Sequence, residues 1–475
     1  LPFLPIFTPA NVDRMKNIRF GTDGWRAVIG RDFTFDNLSR VTHATARWLK
    51  NQTEQPSVMV GYDARFNGAL FARSVAQQLI RQGIRVFLSP DFVSTPMVSL
   101  ATAQRQVTAG IIITASHNPP EYSGFKLKGS FGGPLFPKMI AEIEALIPDE
   151  VSQWEDLPPT ASLEYYDMEA LYINHLRQTF DLQAIKNSEL RLGYDAMFGA
   201  GQNVVKRLLP HTICYRCDYN PSFLGQAPEP IERNLLDFQQ KMLQNHLQWG
   251  LATDGDADRI GLFDEKGQFV DSHHIILLLL YYLHGIKGQK GKVICTFSCT
   301  EKIATYCQKF GLDLEITKIG FKYIGEIMAR EHVLVGGEES GGIAVAGHIP
   351  ERDGIYIGLM ILELMAQTGK SLTQLVQEVY QIVGSFAVER NDLHLSETQK
   401  QAVLAECKNN PPSQIGDYQV VKAEDLDGYK FYLGSGKWVM VRPSGTEPLL
   451  RIYAEGSTSA EALAIISQTI QHFRL

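Results

Sequence analysis

The sequence predicts an α/β protein built from three related units and closed by a smaller α+β unit. Three observations lead there. A strand–turn–helix pattern returns three times, the C-terminal stretch has a different order of elements, and 475 residues are about three or four domains' worth of chain. In Ser57–Pro90 (SVMVGYDARFNGALFARSVAQQLIRQGIRVFLSP) a β-rich run leads through a turn into an amphipathic helical stretch and a second β-rich run. Leu190–Pro210 (LRLGYDAMFGAGQNVVKRLLP) reads strand, glycine turn, helix, and repeats the string Gly-Tyr-Asp-Ala. Lys292–Gly320 reads strand, turn, helix, strand. Strands that alternate with helices need crossover connections, so each block reads as an α/β unit, and the shared order points to duplication. At the C-terminus KWVMVRPSGTEPLLRIYAEG reads strand, tight turn, strand, and SAEALAIISQTIQHF reads as an amphipathic helix with Ser459 as its cap.

Composition excludes several classes. The chain is 44% hydrophobic and 20% charged, ordinary for a folded protein. A net charge of −7 spread along the length leaves no basic stripe for nucleic acid and no polybasic segment for a membrane surface. The longest apolar run, Ile275–Leu283, is too short to span a bilayer. Six cysteines make no disulfide framework in a chain of this length. Cys214 and Cys217 form a lone CxxC without two further ligands for zinc, and Cys295, Cys299 and Cys307 read as small core residues. The N-terminal LPFLPIFTPANVDR is broken by prolines and no basic residue precedes it, so it makes a poor signal peptide. Met15 reads as a natural start, and the cytoplasm is the default location.

Four loops carry chemistry. In LATDGDADRIGLFDEKG, Asp254, Asp256 and Asp258 alternate with small residues, so in extended chain all three carboxylates face one way. Unneutralised they repel, and a hard divalent cation with open positions, Mg²⁺ on a phosphate, answers that; a solvated acidic turn is the bland alternative. An EF-hand is rejected, because its sixth position needs glycine and holds Arg259, and the continuation reads as a hairpin. In GIIITASHNPPEYSGFK a buried strand empties into Ser116 and His117, with Lys126 following. Alone, Ser116 caps a turn; with these neighbours it suits a phosphorylated serine that shares the aspartates' cation, while His117 and Lys126 shuttle a proton. A lysine base needs its pKa lowered by burial or by neighbouring cations, for which Arg26 and the metal are the candidates. In VLVGGEESGGIAV, Glu338 and Ser340 stand two apart among glycines, a pattern that suits gripping sugar hydroxyls and equally a plain loop. In VRPSGTEPLLR, Arg442, Ser444, the Gly445 backbone and Thr446, with Arg451 on the next strand, read as a phosphate cradle or as a hairpin turn with a salt bridge.

Taken together, the four loops resemble the α-D-phosphohexomutase superfamily over essentially the full chain. That family carries TASHNP, DGDxDR, GExSG and RPSGTEP-type loops in this order, and FGTDGWRAV (Phe20–Val28) is similar to its N-terminal signature. The resemblance implies four domains around a central cleft, three related α/β domains with mixed sheets and a smaller C-terminal α+β domain. The expected spans are 1–158 with the phosphoserine loop, 159–268 with the metal loop, 269–383 with the sugar loop and 384–475 with the phosphate loop. The stretch Asp156–Ser162 reads as the first linker.

Residue by residue, the resemblance implies that Ser116 carries the phosphoryl group and joins Asp254, Asp256 and Asp258 around Mg²⁺. It implies acid/base duty shared among His117, Lys126, Arg26 and Arg259. Glu338 and Ser340 match the sugar-hydroxyl pair. Thr317 and Gly320 fall in a loop similar to the one that reads sugar orientation, although Ile319 follows Lys318. Arg442, Ser444, Gly445 and Thr446 match the binder of the substrate's existing phosphate. The implied activity is that of a phosphoglucomutase, an intramolecular phosphotransferase with glucose 1,6-bisphosphate as intermediate and activator. GEESGG is closer to the glucose-preferring form than to patterns closed by histidine at Gly342. Phosphomannomutase or dual specificity is the alternative, followed by phosphopentomutase or hexosamine-phosphate mutase. A sensor without turnover and a Mg²⁺-dependent phosphatase are the rivals. The expected partner is a small phosphosugar, without nucleic acid or membrane, for a monomer or dimer.

Overall fold

The computed structural model describes residues 18–151, 162–443 and 449–475. Met15, most of the expected linker, and Ser444, Gly445 and Thr446 lie outside the described residues. The chain divides into two compact units. The first holds the described residues up to Ser272 with Gly325–Glu331 and Ser340–Leu372; the second holds His273–Ile324, His332–Glu339 and Thr373–Leu475.

The first unit contains two mixed sheets. One comprises β1 (Trp25–Val28), β2 (Ser57–Tyr62), β3 (Arg85–Leu88), β4 (Ala109–Ile113), β5 (Tyr122–Gly129) and β6 (Leu163–Tyr165), in the order β1-β5-β4-β2-β3-β6. Helices α1 (Phe35–Gln52), α2 (Gly68–Arg81) and α3 (Thr95–Gln104) follow β1, β2 and β3 in the chain. Residue chemistry sets the helix ends. The Thr34 hydroxyl accepts from Asn37 N at the start of α1, with Asp36 in its first turn and Lys50 in its last. Ser94 caps α3 in the same way through Met97 N. Because β4 is buried throughout, it reads as an unbroken apolar run, as a central parallel strand must. It pairs parallel to β2, and β5 then returns antiparallel, with Ile112 opposite Lys126.

The second sheet repeats this plan with β7 (Leu192–Asp195), β8 (Ile213–Tyr215), β9 (Trp249–Thr253), β10 (Ile260–Phe263) and β11 (Phe269–Val270), in the order β11-β10-β9-β7-β8. Here β7 runs parallel to both β8 and β9, and β10 returns antiparallel. The DEKG stretch turns between β10 and β11 as a hairpin, as the rejected EF-hand required. In both sheets the loop after the last parallel strand carries the expected chemistry: residues 114–121 between β4 and β5, and residues 254–259 between β9 and β10.

In the second unit β12 (Lys292–Thr296), α4 (Glu301–Phe310), β13 (Leu314–Thr317) and β14 (Val333–Gly337) form a parallel set in the order β13-β12-β14, and the GEES segment follows β14. The C-terminal part is antiparallel throughout: β15 (Ala387–His394), β16 (Lys422–Glu424), β17 (Tyr429–Gly434), β18 (Lys437–Pro443) and β19 (Leu449–Gly456), in the order β15-β19-β18-β17-β16. Val439, Val441, Leu450 and Ile452 pack with Ile465 and Ile466 of α5 (Ser459–His472). The cap of α5 differs from the expected one. Thr458, in extended backbone, accepts from Glu461 N, and Ser459 is the first helical residue. No helix among the described residues is long and apolar enough to cross a membrane.

Candidate active site

The first unit gathers eight of the expected residues. Ser116 is fully buried and sits in left-handed backbone, φ 53, directly after the turn out of β4. Its Oγ donates to Asp254 Oδ2 at 2.7 Å and lies 3.3 Å from His117 Nδ1. The three aspartates are buried, and their oxygens lie within 4.8 Å of one another. They converge by a tight turn rather than by extended alternation. Ala257 is left-handed at φ 55, and Asp254 Oδ1 accepts from the main-chain N–H groups of Asp258 at 2.9 Å and Arg259 at 3.1 Å. Gly255 is required by close approach, because a Cβ there would meet the Ser116 carbonyl oxygen at 2.4 Å.

Charge is tightly interleaved. Lys126, fully buried on β5, donates to Asp256 Oδ2 at 2.7 Å and Asp258 Oδ2 at 3.2 Å, and it pairs with Asp23 at 2.6 Å. Asp256 also accepts from the Thr95 hydroxyl at 2.5 Å. Arg352 bridges Asp258 at 2.7 Å and Asp23. Arg26 donates to Asn118 Oδ1 at 2.8 Å, and Arg259 lies 3.8 Å from Glu229. Burial raises the Asp254 carboxyl well above the usual range, and Asp256 and Asp258 push it further. For Asp256 burial acts upward too, but the Lys126 ammonium outweighs it and holds the group below the usual range.

The condition for Lys126 to act as a base, a lowered pKa, is not met by the protein groups alone. Burial does pull it down, yet Asp23, Asp256 and Asp258 outweigh that and raise it, so the group is an ammonium here. His117 moves the other way. Burial, then Arg259, Arg26, Lys126 and Arg65, lower its pKa well below the usual imidazole value, which leaves a neutral ring.

The trio suits a hard divalent cation. Asp256 Oδ1 and Asp258 Oδ1 are buried without a hydrogen-bond partner, and the charge of the cluster is met by a lysine ammonium. Oxygen-only donors with two unsatisfied carboxylate oxygens are the ligand set Mg²⁺ takes.

Several residues here escaped sequence reasoning. Asp23 stands three before Arg26 in the same signature string, which was the available signal. Arg352 and Glu351, the latter paired with Lys128, come from the PERDG stretch and gave none. Arg65 is buried behind the serine loop. It donates to the main-chain oxygens of Ser116, Asn118, Pro119 and Tyr122 and pairs with Asp63 at 3.2 Å. The repeated Gly-Tyr-Asp-Ala now has a physical meaning. Asp63 follows β2 and Asp195 ends β7, at matching places in the two sheets, and each buried carboxylate pairs with an arginine, Arg65 or Arg216.

Ser340 is half-buried in the first unit. The remaining expected residues that are described stand in the second. Glu338 is buried directly after β14, and Thr317, at the end of β13, donates its hydroxyl to Lys318 O at 3.0 Å. Gly320 has φ 130. Asp427 ties this loop to the arginine pair: it accepts from Ile319 N at 2.9 Å and from Arg442 Nε at 3.1 Å. Arg442 lies opposite Arg451 across β18 and β19.

Mixed α/β sheets with a buried serine set against an acidic trio define an enzyme scaffold, and comparison with known proteins gives the class. Residues 17–154, 170–267 and 271–383 match phosphoglucomutase/phosphomannomutase alpha/beta/alpha domains I, II and III, and residues 398–471 match the C-terminal domain of the same family. A phosphoglucosamine mutase of Limosilactobacillus fermentum is 31% identical, covering 96% of this chain and 97% of its own. A phosphoglucomutase/phosphomannomutase of Thermococcus kodakarensis is 28% identical over 93% and 95%. A crystal structure from Thermus thermophilus, assigned as a phosphomannomutase, superimposes with a TM-score of 0.86 at 32% identity, covering 97% of this chain and 99% of that one. The chain belongs to the phosphoglucomutase/phosphomannomutase family of phosphohexomutases. Its relatives are mutases, so the reaction class is intramolecular phosphotransfer.

Proposed function

We propose that this enzyme interconverts glucose 1-phosphate and glucose 6-phosphate through phospho-Ser116 and glucose 1,6-bisphosphate. The observation that carries the reading is the Ser116 hydroxyl, buried 2.7 Å from the Asp254 carboxylate within the acidic trio. Asp254, Asp256, Asp258 and an oxygen on Ser116 would hold Mg²⁺, which when bound offsets the charge of a moving phosphoryl group. The phosphoryl group leaves Ser116 Oγ for O6 of glucose 1-phosphate. The P–Oγ bond breaks, the P–O6 bond forms, and the O6 proton passes to a neutral base. His117, whose pKa burial and the surrounding cations lower, suits that base, and Lys126, whose pKa the surrounding carboxylates raise, suits returning a proton. The bisphosphate then gives its O1 phosphoryl group back to Ser116. Glu338 and Ser340 grip sugar hydroxyls, Thr317 and Gly320 read their orientation, and Arg442, Arg451, Ser444, Gly445 and Thr446 hold the phosphate that is not reacting. Binding energy from that second phosphate orients the reacting hydroxyl.

Glucose is favoured by the Glu338-Glu339-Ser340-Gly341-Gly342 string. Relatives named phosphomannomutase and phosphoglucosamine mutase support a second reading, in which mannose or glucosamine phosphates turn over as well. The test is kcat/KM for the 1-phosphates of glucose, mannose and glucosamine with Mg²⁺ and the cognate 1,6-bisphosphate. A preference for either rival sugar would overturn the glucose assignment. Intact mass of wild type and Ser116→Ala tests the phosphoserine. The variant should lack the phosphoryl mass and all mutase activity; retention of either rules out Ser116 as the carrier.

A further inference from the structure

A cavity of about 620 Å³ lies in the first unit away from the acidic trio, between the helix Leu182–Asn187, strand β7, and the segment from helix Val204–Leu208 into β8. Ile185, Leu192, Leu208 and Leu247, all buried, make its apolar lining. Lys186, Arg191, Arg207 and His211 also line it, against one acidic residue, Glu189. Arg207 is engaged by Glu169 at 2.5 Å, whereas no ion pair joins Lys186 or Arg191 to a carboxylate among the described residues. Two cations without a carboxylate partner beside an apolar hollow attract an anion whose body is apolar.

We infer that this cavity is a binding site for a small amphipathic monoanion. The apolar body fills the leucine- and isoleucine-lined space, and the anionic head lies among Lys186, Arg191 and His211. The volume is that of a site for one small molecule. Its wall continues toward the acidic loop. Tyr215 O at the end of β8 accepts from Ala196 N, Arg216 O accepts from Phe198 N, and Ala200 N donates to Gly255 O. Occupancy should therefore be sensed at residues 195–200.

The experiment uses the full chain and decanoate as the probe, with decanol and decyltrimethylammonium as matched-length controls. Calorimetry should give one decanoate per chain, and each control should bind at least about tenfold more weakly. Hydrogen exchange should show protection on β7, β8 and residues 195–200. Reversing charge at the two exposed cations, Lys186→Glu with Arg191→Glu, should weaken decanoate by about tenfold or more while mutase activity is retained. Absence of decanoate binding, equal affinity for decanol, protection elsewhere only, or indifference to the charge reversal would each overturn the assignment.

Discussion

Replacing Arg65 by methionine tests whether the serine loop is held from behind. Nη2 of this buried side chain donates to Ser116 O at 2.7 Å and Asn118 O at 2.6 Å, and Nη1 to Pro119 O at 2.8 Å and Tyr122 O at 3.0 Å. Methionine is of similar length and brings no donor. Removing one partner of a buried ion pair costs about 3–5 kcal/mol. Some of that is relieved when Asp63, already pushed up to about 6 by burial, takes a proton. The rest falls on Ser116, whose φ of 53 is strained for a residue with a side chain. Freed from the clamp, the loop relaxes and Oγ drifts from Asp254. A displacement of about 1 Å lowers a rate by about 100-fold, or roughly 2.7 kcal/mol, within what the lost contacts supply. Steady-state assays should therefore show kcat down about 100-fold with KM changed by less than about threefold, because no substrate contact is assigned to Arg65. Arg65→Lys should restore part of kcat, since an ammonium reaches some of the four oxygens. A folded Arg65→Met enzyme with kcat within about threefold of wild type would refute the clamp, as would a loss confined to KM.

Three further outcomes follow from the same geometry. Asp256→Asn removes a carboxylate from the trio and a partner from Lys126, and should weaken Mg²⁺ binding by at least about tenfold in calorimetry; unchanged affinity would remove Asp256 from the ligand set. Arg442→Ala should weaken capture of the sugar phosphate by about 2–4 kcal/mol, read as a rise in KM; a fall in kcat alone would contradict its role as a phosphate holder. The Asp63 carboxyl is held near 6 in the folded chain, above its unfolded value, so its contribution to stability is full below about 4 and is lost as pH rises through 6. With a shift of about two pKa units, urea melts should show wild type losing about 3 kcal/mol relative to Asp63→Asn between pH 4 and pH 7; a pH-independent difference would refute the raised value.

The serine loop and the acidic loop were legible because each concentrates its chemistry in a short string. A serine beside a histidine and three alternating aspartates each declare themselves within about a dozen residues of chain. The layered α/β plan was legible for a related reason, since β4 reads AGIII and is buried throughout. The helix cap was misread by one residue, because Thr458 and Ser459 both have capping side chains. Only the extended backbone at Thr458 decides between them.

What stayed hidden depends on register rather than on strings. Arg352 reaches Asp23 across 329 residues of chain, and Lys126 meets the acidic trio from a strand more than a hundred residues away. The direction of the Lys126 shift has this origin. Nearby Arg26 does act to lower the pKa, but the carboxylates that decide the sign are brought in by the loop after β9 and by the Asp23 turn. The Gly-Tyr-Asp-Ala repeat marks the same divide. In sequence it was a sign of duplication and nothing more. In the fold its aspartate closes the strand beside the one that feeds each active loop, buried and matched by arginine in both sheets. A buried carboxylate with a raised pKa is retained twice, which is expensive for stability alone. Its return is positional: Asp63 accepts from the Thr114 hydroxyl at 2.5 Å, Thr114 Oγ1 accepts from Ser116 N at 2.9 Å, and Arg65 holds the rest of that loop. The acidic loop is reached the same way. Asp195 accepts from Met197 N at 2.9 Å, and the segment that follows leans on Gly255 through Ala200 N.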